Sequence, residues 1–126
     1  MMAQSSRKGA PRKTGPSQGI RATVIHRDAG RCVRCGRMLG TAPFSIQHRK
    51  ARGMGGTSDP QINSPANLIL LCGDGVAGCH GWVESNREAA REGGWGIHSW
   101  DDPTEVPVQY LDGVYYLDAD GNRAQR

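Results

Sequence analysis

The chain's four cysteines fall into two pairs. Cys32-Val33-Arg34-Cys35 comes first, and after 36 intervening residues come Cys72 and Cys79 with six residues between them. One histidine, His80, directly follows the last cysteine, and another, His48, lies between the pairs. Four thiolates fill the tetrahedral sphere of one Zn²⁺ at Zn–S distances of about 2.3 Å. Such a sphere is closed and leaves no position for a reactive water. The zinc expected here is therefore structural, and hydrolytic chemistry would need another ion. Two alternatives remain open: a pair of disulfides, or His80 replacing one cysteine as a ligand. Cys-x-x-Cys spacing favours metal in a reducing compartment. The polar stretch Met1 to Gly19 has no signal-peptide core, and no run approaches the roughly 20 apolar residues of a membrane span. A cytoplasmic chain without a membrane partner is the expectation.

Composition explains why a staple is needed. Only 37% of the 126 residues are hydrophobic, with a single Phe and eighteen Gly. Small chains with thin cores commonly depend on a metal or disulfides. Charge is divided along the chain: residues 1–52 hold twelve Lys or Arg against one acid, and residues 92–126 hold seven acids against Arg123 and Arg126. A basic half of that density suits a polyanion such as DNA. The segment 1–19, rich in Ser, Gly, Pro, Lys and Arg, reads as a disordered basic arm.

The elements that would carry these groups can be read in outline. Ile20 to Ala29 suits a short helix ended by Gly30. Phe44-Ser45-Ile46-Gln47-His48 alternates as a strand does, and Asn67 to Cys72 suits a buried second strand. His80 to Glu92 reads as one helix stopped by Gly93-Gly94. Val106 to Leu117 reads as a hairpin around Asp112-Gly113, and the acidic hairpin could dock on a partner or fold back on the basic half. This gives an α+β chain in three parts: an arm (1–19), a zinc-stapled domain (20–100) and an acidic hairpin tail (101–126). Trp95 and Trp100 are expected to pack the helix end against that tail. Arg49, Lys50 and Arg52 follow His48 directly and could hold phosphates.

Gln47-His48, then Asn67-Leu68-Ile69-Leu70-Leu71-Cys72, then Cys79-His80 resembles the His-Asn-His (HNH) endonucleases, and more closely the small phage-type members whose two cysteine pairs bind structural zinc. The resemblance covers about residues 30–92. It implies a ββα-metal module that hydrolyses DNA phosphodiesters with a divalent ion, leaving a 5′-phosphate and a 3′-hydroxyl. It implies that His48 is the general base, that Asn67 fixes the loop that aims His48, and that His80 is a ligand of the catalytic ion (Mg²⁺, Mn²⁺, Ni²⁺ or Zn²⁺). A phage terminase or portal is the partner suggested by analogy. The chain departs from the family at Gln47, where Asp, Glu or His usually precedes the base as a metal ligand. Glu84, four residues after His80 on the same helix face, is the expected replacement. The competing readings are a non-catalytic zinc-stabilised DNA-binding module and a phage assembly factor.

Overall fold

The computed structural model describes residues 15–51 and 59–126 as an α+β fold. The order is α1 (Gln18–Arg27), β1 (Phe44–His48), a 3-10 turn (Pro65–Asn67), β2 (Leu68–Cys72), α2 (Gly78–Ser85), α3 (Arg87–Glu92), β3 (Val108–Tyr110), β4 (Gly113–Leu117) and β5 (Arg123–Ala124). The Ser17 hydroxyl accepts the Ile20 N–H at 3.2 Å, so α1 begins inside the segment expected to be an arm. Residues 1–14 and 52–58 lie outside the described residues, and Arg52 with them.

β2 is buried at all five positions, as its unbroken apolar run requires. β1 pairs with it antiparallel, from Phe44 opposite Cys72 to His48 opposite Leu68. This register brings the end of β1 beside the turn that holds Asn67. A second, three-stranded sheet has the order β3-β4-β5. Val108, Tyr110 and Leu117 from it join the same core as Leu70, Leu71, Val83 and Ala90. The C-terminal hairpin therefore folds back onto the rest of the chain. The helix expected over 80–92 is broken at Asn86, whose φ of −131° and ψ of 56° leave the helical region. The Asn86 side chain donates to the Trp82 carbonyl at 2.9 Å, the local competition with backbone bonding that Asn favours. Trp95 meets the tail as expected, its Nε1 donating to the Gln109 carbonyl at 3.0 Å. Trp100 does not: it is 78% exposed and stacks on His98. Among the described residues, no helix is long and apolar enough to cross a membrane.

Two buried arginines supply part of what the thin core lacks. Arg27 chelates Asp28 at 2.9 and 3.1 Å and donates to the carbonyls of Pro65 and Leu68. Asp28 in turn accepts the Leu70 N–H and the Tyr110 hydroxyl, which joins α1, β2 and β3 through one carboxylate. Burial, with Asp28 alongside, raises the Tyr110 phenol.

Arg49 has no exposed surface and donates to the carbonyls of Gly94, Ala66, Pro103 and Val106 at 2.6–2.8 Å. Burial, and then the nearby Arg27 charge, lower its guanidinium to about 10, which still leaves it protonated at neutral pH. Arg49→Met would leave four buried carbonyls unsatisfied. The expected loss is about 3–5 kcal/mol, measured by urea unfolding of the metal-loaded protein.

Candidate metal centre and groove

Two chain segments build the cysteine cluster. In the first, Gly36 donates its N–H to the Cys32 carbonyl at 2.8 Å, and Val33 N–H docks on the Leu70 carbonyl at 2.8 Å. In the second, the chain leaves β2 at Cys72 and doubles back to Cys79. That reversal needs Gly73 and Gly78 at φ +89° and +69°, where an added Cβ would lie 2.0 Å from the Ala77 carbonyl oxygen and 2.7 Å from that of Cys72. The Cys79 N–H then donates to Cys72 Sγ at 3.3 Å. The four Sγ atoms of Cys32, Cys35, Cys72 and Cys79 lie within 4.8 Å of one another, and all four cysteines are free thiols. This donor set fits a tetrahedral ion such as Zn²⁺. His80 is not part of the cluster.

Without an ion, burial pushes the Cys79 thiol up to about 12 and raises Cys32 as well. Cys72 is also raised by burial, but hydrogen bonds from the Cys79 N–H and the neighbouring thiols outweigh this and lower it. Arg34 adds a cation: its Nη1 donates to Cys79 Sγ at 3.4 Å while its guanidinium lies 3.6 Å from the Trp82 ring centroid. Four thiolates around a divalent ion carry a net negative charge, and Arg34 offsets part of it.

A groove of about 410 Å³ is lined by His48, Gln47, His80, Glu84 and Arg87 among others. His48 Nε2 lies 2.7 Å from Asn63 Oδ1. With that oxygen as acceptor, Nε2 carries the proton and the lone pair of a neutral ring lies on Nδ1. Asn67 is fully buried. Its Oδ1 accepts the Lys50 N–H at 2.9 Å, and its Nδ2 donates to the Ile62 carbonyl at 2.9 Å. Asn67 thus ties the backbone just beyond His48 to the turn before β2.

His80 Nδ1 is buried and has no hydrogen-bond partner among the described residues. Gln47 donates its amide to Glu84 Oε2 at 2.8 Å and to the His48 carbonyl at 3.0 Å. Glu84 Oε2 also accepts from Arg87 Nη1 at 3.3 Å. No three His, Cys, Asp or Glu side chains other than the four cysteines gather as a ligand set among the described residues.

The structure brings His48, His80 and Glu84 to one groove and holds Asn67 behind it. It corrects the expectation that Arg49 and Lys50 hold phosphates. Arg49 is committed to four carbonyls. Lys50, 3% exposed, is paired with Asp59 at 2.9 Å and donates to the Asp101 carbonyl. Sequence reasoning missed Asn63 and Arg87. Nothing marks Asn63 within its loop. Arg87 stands at i+7 from His80, a same-face spacing only for the unbroken helix expected over 80–92, and it lies beyond the break at Asn86, at the start of α3. Comparisons with protein-family models, curated proteins and solved structures found no match for this chain.

Proposed function

We propose that the chain is a divalent-metal-dependent DNA endonuclease of the HNH type, its β1, β2 and α2 forming a ββα-metal module stapled by zinc at the four cysteines. The observation that carries this reading is the shared groove: His48 from the end of one strand faces the same space as His80 and Glu84 from the following helix. His80 Nδ1, which has no hydrogen-bond partner among the described residues, suits a ring kept for a ligand. The basic first half of the sequence suits DNA as the substrate.

In this reading His48, whose Nε2 lies 2.7 Å from Asn63 Oδ1, accepts a proton from water as general base. Asn67 keeps the backbone after His48 in place, so the ring stays aimed. His80 and Glu84 would hold a divalent ion, which would supply charge neutralisation at the phosphate and the leaving oxygen. Gln47 acts as a brace for Glu84 rather than as a ligand. Work in a host cytoplasm beside a phage terminase or portal rests on the family resemblance alone.

The test is conversion of supercoiled plasmid to nicked or linear form by the zinc-loaded protein, with Mg²⁺, Mn²⁺, Ni²⁺ or Zn²⁺ added in turn. Cleavage leaving 5′-phosphates supports the reading. Salt-sensitive DNA binding without cleavage in any ion would favour the non-catalytic DNA-binding module.

A further inference from the structure

A groove that receives a phosphodiester needs a cation to meet it, and the two cations nearest His48 in sequence are spent inside the fold. This inference rests on the nuclease reading above. Arg87 is the only Lys or Arg among the described residues that line the groove. Its side chain is 37% exposed, and Nη1 is held on Glu84 Oε2 at 3.3 Å. A guanidinium has five N–H donors in a planar fork, so one contact with Glu84 fixes its orientation without consuming it. Glu84 is itself fixed, since the same oxygen accepts from the buried Gln47 amide at 2.8 Å. The result is a braced line of amide, carboxylate and guanidinium along the groove wall, with the cation at its open end. An oriented guanidinium matches two phosphate oxygens side by side.

We propose that Arg87 is the phosphate-binding residue of the groove, contacting the non-bridging oxygens of the DNA phosphate that His48 and His80 face. Glu84 and Gln47 hold it there, which gives the amide at position 47 a positioning role.

The experiment compares the full-length, zinc-loaded wild type with Arg87→Gln, Arg87→Lys and the control Arg91→Gln, which removes a charge from α3 outside the groove. Binding to a short labelled duplex is titrated against salt with no divalent ion added, and plasmid nicking is measured separately with one. Circular dichroism confirms that each variant is folded. Arg87→Gln is expected to flatten the salt dependence of binding by about one phosphate contact. It should also slow nicking about ten- to hundredfold, the worth of a charge-assisted hydrogen bond. Arg87→Lys should recover part of both, and Arg91→Gln should stay near wild type. If Arg87→Gln binds and nicks like wild type, or loses no more than Arg91→Gln, the proposal is overturned while the nuclease reading stands. If the wild type neither binds nor nicks DNA, the nuclease reading fails first and the proposal with it.

Discussion

His48→Ala is expected to slow plasmid nicking by about 10²–10⁴-fold, the usual contribution of a positioned general base, while leaving the fold and the bound zinc intact. That corresponds to about 3–5 kcal/mol of transition-state stabilisation. The fold should survive because the His48 side chain is only partly buried and lies at the end of β1, outside the apolar cluster. The backbone there is held independently by the Arg49 N–H on the Asn67 carbonyl at 2.7 Å and by Asn67 itself. If the side chain removed is the proposed base and not an ion ligand, no added divalent ion should restore the rate. Nicking at wild-type rate by purified His48→Ala would mean that another group activates the water.

Cys72→Ser is expected to abolish zinc binding and unfold the domain. Metal binding supplies about 10–16 kcal/mol in small zinc modules, and whole domains are stable by only about 5–15 kcal/mol. Little else here could compensate, since the sequence's single Phe, Phe44, is exposed and the interior leans on buried arginines. Cys72 also ends β2 and accepts the Cys79 N–H, so its loss loosens the turn that delivers α2. Zinc content and far-ultraviolet circular dichroism check the outcome. The pH dependence follows from the metal-free thiols. Burial raises Cys79 to about 12 and also raises Cys32, so taking up an ion expels their protons. Zinc affinity, and the stability tied to it, should therefore fall as the solution is acidified.

The parts of this architecture that were legible in the sequence are those whose signal is local. β1 carries its own alternation and is found over the expected Phe44–His48, and β2 begins one residue later than expected, at Leu68. The cysteine pairs announce a shared ion by type and spacing, and the four thiols do gather. What was illegible depends on distant partners. Arg49 is indistinguishable in sequence from an exposed phosphate contact. Its four acceptor carbonyls come from positions 66, 94, 103 and 106, which only the fold assembles. The break at Asn86 comes from a side chain that bonds its own helix, where the apolar pattern of 80–92 favours continuity. β5 is two residues long and is held to β4 opposite Tyr116 and Leu117, too short to show a period.

The central claim is that two adjacent residues do separate jobs, Cys79 closing a structural zinc site and His80 serving the groove. Metal analysis and plasmid nicking of His80→Ala, each beside the wild type, test it directly. The account predicts one zinc per chain in both proteins, with nicking lost in the variant. Loss of that zinc from a folded His80→Ala protein, or undiminished nicking by it, would contradict the account.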